Sequence, residues 1–571
     1  MPVRSAHAAA ALVAGLLVAV GAPGATHAAI TAADTPVQVS VVVPLTAPVG
    51  SSGLLTVDAL EHYTSPGGLL TRQLEAVAGR PVTIAIDPMI LVSIRVLGSS
   101  APQSALEWLD RLEGVTNETF PLGYADSGLT LQLQAGSTAP AKPQSFDFAI
   151  DPGLFSDPES PSPTPTETGN ATSGPTDAPP NNEQEGEEDG EEEEDAGPPP
   201  LPSTDDLLAW PYTMPGMAWP GEGSVTAPDL EALKAAEYET VILGSANVDR
   251  SGSPRSPLAT VNDTDVLVSD AEVSSLVRAA AATVSEEDWT AGMAAVSDAL
   301  AGVSRSGDGS VRGILITLGR GPLGSDSWLG ETIQAIDALP SVTLTPLSVA
   351  METESSTATL VESPLPEETV ALFESVLSAQ RAENRFATMI ENPVDFTAPR
   401  QLEVLVLASH SWRHNPEGWP VAISEFRERS VELRSAVQVV ESSTNNFFAD
   451  RQSLYIPVNN TLPHRVTVYI TVRPESPLIR VEDSRVELTI EPDAQGRGAV
   501  PVESISNGVV DVTVTLTSST GVSIGDPATL ELNVQAGWET PITIGIAVIV
   551  VLIFGVGIAR TIVRRRRSVR E

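Results

Sequence analysis

The chain has 571 residues, enough for roughly two to four domains, and 42% of them are hydrophobic. With 32 basic and 74 acidic residues its formal net charge is −42, which argues against nucleic-acid binding because that affinity depends on cations at phosphates. The absence of cysteine excludes disulfides, thiolate metal sites and a cysteine nucleophile. An exported chain without cysteine is typical of a bacterial envelope protein.

Residues 1–28 predict a secretory signal peptide. Arg4 precedes the apolar run AAAALVAGLLVAV, and cleavage is expected after Ala28. A retained anchor helix is the alternative for this segment.

Residues 36–350 predict a (β/α)-barrel-like domain. Strands are expected at 37–43, 82–86, 119–124, 240–244, 265–270, 312–318 and 341–346. Helices are expected between them at 67–78, 102–113, 226–237, 271–281, 285–303 and 326–338. This alternation indicates βαβ units and a parallel sheet. A (β/α) barrel is the expected architecture, and an open doubly wound sheet is the alternative.

The segment 151–206 interrupts that domain. It holds 17 acidic residues and no lysine or arginine, together with runs rich in proline and glycine. Such a composition buries too little apolar surface to fold. We expect a disordered acidic insertion that acts as a solvated spacer.

Residues 362–430 have apolar positions at helical spacing and predict a helical connector. From 434 to 536 the period changes to two, with seven or more short strands, which predicts an immunoglobulin-like β-sandwich. The fold class is therefore multidomain, α/β followed by all-β.

Residues 541–559 are uncharged and long enough to form one transmembrane helix. Trp538 precedes this span, and the basic tail 560–571 follows it. Because cations stay cytoplasmic, we expect a single-pass protein of the plasma membrane whose N-terminal ectodomain lies outside the cytoplasm.

In a (β/α) barrel, functional side chains lie where the strands end. Positions of this kind in the sequence are Asp87, Tyr124, Asp126, Ser245, Asp270 and Arg320. Trp219 lies in the loop before the helix expected at 226–237 and could line the same mouth of the barrel. Asp87 and Asp126 are the candidate catalytic pair, since two facing carboxyl groups can act as acid and base on a glycosidic bond. The others except Ser245 are candidate substrate-binding residues, because aromatic rings suit sugars and arginine suits anions.

Each candidate has a structural alternative. An aspartate before a proline, such as Asp87, commonly caps the turn that follows, and Asp270 is placed to cap a helix. Trp219 can pack in a core, and Arg320 can pair with a nearby aspartate.

One sequence has the spacing of a metal site. His410 and His414 would share one helix face with Glu403 nearby, outside the barrel. Two histidines are too few for a zinc site, so we expect no metal, a packed Trp412 and partly exposed imidazoles. Motifs for phosphate loops or serine nucleophiles are missing from the sequence, and no cofactor is expected.

Several stretches resemble one family of actinobacterial envelope proteins, known only as a domain of unknown function and often encoded beside the MviN-type lipid II flippase. The stretches are VTIAIDP, PLGYADSGL, MAWPGEGSVTAPDLEALKAAEYETVILGS, SHSWR and YIPVNNTLPHRVTV. The resemblance covers most of the mature chain and implies a role at the cell wall, without an established activity.

A more distant likeness is to polysaccharide deacetylases and glycosidase barrels. TIAIDP resembles their first motif, a strand that ends in paired aspartates, but here Pro88 follows Asp87. After signal removal only His62, His410, His414 and His464 remain, and no pair of histidines is expected inside the barrel. A metal-dependent deacetylase mechanism is therefore not expected.

These observations predict a non-catalytic scaffold that binds a cell-wall glycan or a membrane-embedded wall-synthesis protein. The alternative is a carbohydrate-active hydrolase that uses Asp87 and Asp126. Contact with the lipid bilayer is expected only through residues 541–559.

Overall fold

The computed structural model of the chain describes residues 36–155, 200–250, 256–305, 312–320, 328–440, 445–447, 451–534 and 539–567. The predicted signal peptide lies outside the described residues, as does most of the predicted acidic insertion. The described ends of that insertion form a 3₁₀ turn at Pro152–Phe155 and a helix at Thr204–Leu208.

The first part of the chain is a mixed α/β region. Its strands are β1 (Val37–Leu45), β2 (Thr83–Ile86), β3 (Thr119–Pro121), β4 (Met217–Ala218), β5 (Thr240–Gly244), β6 (Val248–Asp249), β7 (Leu258–Val261), β8 (Thr264–Ser269), β9 (Gly313–Thr317), β10 (Val342–Thr345), β11 (Ser356–Thr357) and β12 (Thr359–Leu360). Its helices are α1 (Val57–Thr64), α2 (Leu69–Val77), α3 (Pro88–Arg95), α4 (Gln103–Glu113), α5 (Leu129–Gln134), α6 (Thr204–Leu208), α7 (Ala227–Ala235), α8 (Ala271–Ala281), α9 (Glu286–Arg305), α10 (Leu329–Asp337) and α11 (Leu347–Met351). Further 3₁₀ turns lie at Gly98–Ser100, Tyr124–Asp126, Asp147–Ala149 and Ser245–Asn247.

Side-chain caps set the points where strands turn into helices. Asp87 caps α3 by accepting from the Met89 N–H, and Pro88 occupies the first turn, where no N–H is needed. Asp270 caps α8 in the same way, through the N–H of Val273. Several strand ends are therefore followed at once by a rigid helix.

Seven strands run parallel in the spatial order β3, β2, β1, β9, β8, β5, β4. The strand β10 also pairs with β1, beside β2, and β7 adds an antiparallel pairing to β8. The two ends of the path meet, because the Met214 N–H, just before β4, donates to the Thr119 C=O of β3 at 3.0 Å. The carboxyl ends of these strands therefore share one edge.

The parallel strands are buried on both faces. One hydrophobic cluster takes a side chain from every one of the seven: Val42, Ala85, Phe120, Met217, Ile242, Leu267 and Leu315. The helix α11 adds Leu347 and Ala350 to this inner cluster. A larger cluster packs the opposite faces of β1, β2 and β9 against helices, and a separate cluster packs those of β5 and β8 against α7.

Three helices connect this region to the next: α12 (Glu367–Phe386), α13 (Pro393–Leu407) and α14 (Gly418–Arg434), with 3₁₀ turns at Ala387–Met389 and His410–His414. The helix α13 contributes to three cores. Phe396 packs in the core of the all-β region, Leu402 and Leu405 in the α/β core, and Val404 in the core of the helices themselves.

The all-β region comprises β13 (Val437–Val439), β14 (Asn445–Phe447), β15 (Arg451–Asn460), β16 (Val466–Pro474), β17 (Ile479–Val481), β18 (Val486–Ile490), β19 (Ala494–Ser504), β20 (Gly508–Thr517) and β21 (Ser523–Val534). They form one sheet in the order β13, β15, β19, β17 and a second in the order β14, β21, β20, β16, β18. Buried residues of both sheets share one core, which explains why buried side chains alternate with less buried ones along strands such as β16 and β20.

The last helix, α15 (Glu539–Arg567), contains the 24-residue stretch Ile542–Arg565, in which an 18-residue window has a mean hydropathy of 2.9. It could span a membrane by length and composition, and its side chains are exposed rather than packed in a core.

The predicted combination of an α/β region, an all-β region and one apolar C-terminal helix is confirmed at this level. One local expectation is wrong. The helix expected to run through His410 and His414 ends at Leu407, and the two histidines lie in a 3₁₀ turn that Ser409 caps.

Candidate functional site

Three of the predicted site residues, Asp126, Trp219 and Arg320, meet at the edge where the parallel strands end. They follow β3, β4 and β9, which are far apart in sequence. Function at the carboxyl ends of parallel strands is the general expectation for such sheets. The geometry of this cluster is therefore the starting point for the site.

Asp87 lies beneath the cluster and is not exposed at all. Its Oδ1 accepts from the N–H groups of Met89 and Ala125, each at 2.9 Å, and its Oδ2 has no hydrogen-bond partner within the described ranges. Burial, with a smaller effect from the charge of Asp126, raises the pKa of Asp87 from 3.8 to about 8. A neutral Asp87 therefore ties the β2–α3 turn to the turn after β3.

Asp126 occupies that second turn. Ala125 and Asp126 both have left-handed backbones, with φ of 59° and 47°, which non-glycine residues adopt only when their surroundings hold them. Here Asp87 holds the N–H of Ala125. The strained turn brings Oδ1 of Asp126 to 3.3 Å from Nη1 of Arg320, and only 5% and 8% of the two side chains are exposed.

Burial works against charge on both partners of this pair. It raises the pKa of Asp126 from 3.8 to about 6, although the positive charges of Arg320 and Arg413 lower it. It lowers the pKa of Arg320 to about 10, although Asp126 raises it. At neutral pH both groups are charged and form a buried ion pair.

Trp219 completes the support of Arg320. The guanidinium lies 4.3 Å from the centre of the Trp219 ring and donates from Nη2 to the Trp219 carbonyl. A cation over an indole face is an attractive arrangement. The ring also packs at 6.4 Å, tilted, against Phe120 of the inner cluster.

His410 is the unexpected member of the cluster, since the sequence analysis placed it outside the barrel. Its Nδ1 lies 2.9 Å from the Asp126 carbonyl oxygen, which only accepts, so Nδ1 carries the proton. Its Nε2 then accepts from Nη1 of Arg320 at 3.4 Å, and the same Nη1 lies 3.2 Å from Nδ1. Burial and the charges of Arg320 and Arg413 hold the pKa of His410 well below 6.5, so the imidazole is neutral.

Beside this cluster lies a cavity of about 270 Å³, here named the arginine cavity. Its polar lining includes Glu222, Arg278, Arg320, His410, Arg413 and His414, and Trp219 forms part of its wall. Arg278 and Glu222 form an ion pair at 2.7 Å. Arg413 has no ion-pair partner within the described residues. The arrangement can bind and orient an anionic or sugar ligand.

The remaining predicted residues lie elsewhere. The Tyr124 hydroxyl is buried and donates to the Gly53 carbonyl at 2.7 Å, so its ring belongs to the packing. Asp270 caps α8 with an Oδ1–N distance of 3.0 Å to Val273, and Ser245 accepts from the N–H of Ala271. Among the described residues, these three are not in the lining of the arginine cavity.

The suspected metal spacing does not bring three ligands together. His410 is buried against Asp126, whereas His414 is exposed. Glu403 accepts from Arg400 and Arg429 instead. In the part of the chain that the structure describes, no group of three or more potential metal ligands is found.

Three likenesses to solved structures have low sequence identity and low TM-scores. The chain is similar to a 4-alpha-glucanotransferase from Thermococcus litoralis, with 12% identity over 84% of this chain and 87% of that chain, and a TM-score of 0.35. It is similar to WR4, a C. elegans MSP family member, with 9% identity over 18% of this chain and 99% of that chain, and a TM-score of 0.14. The likeness to native alpha-2-macroglobulin from Escherichia coli has 14% identity over 18% of this chain and 17% of that chain, with a TM-score of 0.15.

At such scores none of these likenesses supports an inference about activity. A comparison with curated proteins gives no match. A single family model matches residues 8–569, almost the whole chain. The chain therefore belongs to that family, described as a family of unknown function (DUF6049).

Proposed function

We propose that this chain is a membrane-anchored protein of the cell envelope that binds a wall glycan in the arginine cavity without cleaving it. The observation that supports this most is the engagement of both strand-end carboxyl groups. Asp87 is neutral and caps a helix, and Asp126 is paired with Arg320. Glycoside hydrolysis with two carboxyl groups requires both to face the substrate.

The proposal includes a finer description of the architecture. The seven parallel strands would form a closed (β/α) barrel, supported by the shared inner cluster and by the Met214–Thr119 hydrogen bond between the end strands. The all-β region would be an immunoglobulin-like sandwich, supported by two sheets around one core.

The envelope setting comes from the sequence. The resemblance to actinobacterial proteins encoded beside an MviN-type flippase supports a role in wall synthesis, with a wall glycan or a membrane-embedded wall-synthesis protein as partner. The basic residues after the apolar stretch support an ectodomain outside the cytoplasm and a tail, 560–571, inside.

The orientation is testable with protease. Cells stripped of their wall and treated with protease should lose nearly all of the chain, leaving a membrane-protected fragment around Ile542–Arg565. An antibody to the C-terminal tail would follow that fragment on a gel. An ectodomain that resists protease until the membrane is opened would contradict the orientation.

A second candidate function, a carbohydrate-active hydrolase, is favoured by one observation. The pKa of Asp126 is raised to about 6, mainly by burial, and such carboxyl groups beside a cavity are found in active sites. Glu222 in the cavity lining would then have to supply the second carboxylate.

One experiment separates the two functions. The full chain in lipid nanodiscs is incubated with purified wall polymer, and bound polymer and newly released reducing ends are measured together. We expect binding without release, and weaker binding for Arg278→Met. Arg427→Met on the exposed face of α14 is the matched control. Reducing ends that disappear in Asp126→Asn would establish the hydrolase instead.

A further inference from the structure

A second cavity adjoins the first. It has a volume of about 350 Å³ and lies between α5, α12 and the chain from Leu407 to Pro420. Its lining is mainly apolar, with Leu131, Leu365, Leu372, Leu407, Trp412 and Trp419. We name it the apolar groove. Both cavities are near the lower end of the sizes of ligand sites, about 300–1,000 Å³.

The two cavities are contiguous. Gly221, His410 and Arg413 belong to the lining of both. A side chain at Gly221 would fill the junction, since a Cβ there would lie 3.0 Å from Nη2 of Arg413 and 3.1 Å from Nε2 of His410. Gly221 thus keeps open the junction between the arginine cavity and the apolar side chains of the apolar groove.

Three arginines line the arginine cavity in a chain whose net charge is −42. Arg278 is paired with Glu222 and Arg320 with Asp126, whereas Arg413 is without an ion-pair partner among the described residues. Beside the three arginines, two carboxylates lie in these ion pairs, and a third, the exposed Glu368, lies in the lining of the apolar groove. Arg413 belongs to both linings and is therefore the guanidinium at the junction that is available to an anion.

We infer that the two cavities together bind a single amphiphilic anion. Its head, a phosphate or a carboxylate, lies against Arg413 in the arginine cavity, and its hydrocarbon chain lies in the apolar groove. This inference rests on the proposed binding function of the arginine cavity and adds the groove and the ligand class to it.

The test is calorimetric titration of the full chain in lipid nanodiscs, with empty nanodiscs as the blank. Four probes separate head from tail: hexyl phosphate, hexanoate, inorganic phosphate and neutral hexyl glucoside. We expect at least one of the two alkyl anions to bind ten times more tightly than inorganic phosphate and than hexyl glucoside. The better of the two identifies the head.

Two variants locate the ligand. Arg413→Met should weaken binding of that alkyl anion at least tenfold, whereas the matched change Arg427→Met, outside both cavities, should not. Leu372→Trp fills the groove and should weaken the alkyl anion while leaving inorganic phosphate unchanged. Circular dichroism checks that each variant is folded, and Leu372→Ala replaces Leu372→Trp if the larger side chain disturbs folding.

The inference is overturned if neither alkyl anion binds more tightly than inorganic phosphate and hexyl glucoside. It is also overturned if the Arg413→Met variant binds the alkyl anion as tightly as the wild type does. Its failure is separable from failure of the proposed function. Wall polymer bound without any affinity for alkyl anions would overturn only the inference. Released reducing ends would overturn only the non-catalytic function.

Discussion

Replacing Arg400 by methionine is expected to lower the free energy of unfolding by about 3–5 kcal/mol, because it leaves a buried carboxylate without its cation. Arg400 of α13 binds Glu383 of α12 through two hydrogen bonds, at 3.0 and 2.8 Å. Glu383 is 1% exposed. The same guanidinium donates to the Phe426 carbonyl of α14 and lies 3.9 Å from its ring centre. One side chain therefore joins three helices.

The measurement is urea unfolding of the detergent-solubilised chain, followed by the fluorescence of Trp412 and Trp419, which pack in the same cluster. Combining Arg400→Met with Glu383→Leu should recover most of the loss, because both charges are then removed. If the free energy of unfolding of Arg400→Met falls by less than about 1 kcal/mol, the Arg400–Glu383 pair contributes no more than a solvent-exposed ion pair does. Water would then solvate Glu383 in the variant.

Asp87→Asn is expected to stabilise the protein at pH 7 to 8. The folded pKa of Asp87 is about 8 against 3.8 for the ordinary group, so the unfolded chain loses its proton first as pH rises. The folded state then holds more protons between about pH 4 and 8, and stability falls as pH rises through this window. At about 1.4 kcal/mol per pH unit the variant should gain up to roughly 4 kcal/mol at pH 7.

The amide in this variant can keep the two hydrogen bonds that the carboxyl group of Asp87 accepts. Its oxygen can accept from Met89 and Ala125 as Oδ1 does now. The matched control is Asp270→Asn, which changes the cap of α8 into an equally good one and should leave stability and its pH dependence unchanged. Thermal unfolding from pH 5 to 8 gives both results. A variant less stable than the wild type at pH 8 would show that the folded state needs an ionised Asp87.

The elements that could be predicted from the sequence have strong local signals. The strand at 240–244 and the helix at 271–281 were placed to the residue, because one is a short apolar run and the other has a cap and a helical period. The helix α3 was missed although Asp87-Pro88 signals its start. Its side chains are buried almost all round, so it has no polar face to mark the period.

The hairpin from β7 to β8 was also missed. Asn262 and Asp263 turn it with φ of 49° and 58°, which is a hairpin signal, but the strand before the turn has only four residues.

The candidate site shows which residues the sequence alone can identify and which it cannot. Strand-end reasoning identified Asp126 and Arg320, since each follows a recognisable strand. Trp219 was assigned to the same site from its position in the loop before the helix expected at 226–237. Neither argument predicted His410 or Arg413, because their contacts join the SHSWR stretch to residues about 190 to 280 positions earlier. Spacing along the chain contains no information about such a contact.

The position of α13 in three cores has a consequence for how this family evolves. Phe396, Leu402 and Val404 are buried in different regions within three turns of one helix. Recombination at any boundary near that helix would expose the apolar side chains of at least two regions at once. We therefore expect the regions to be inherited together rather than exchanged as modules, and one family model covers residues 8–569.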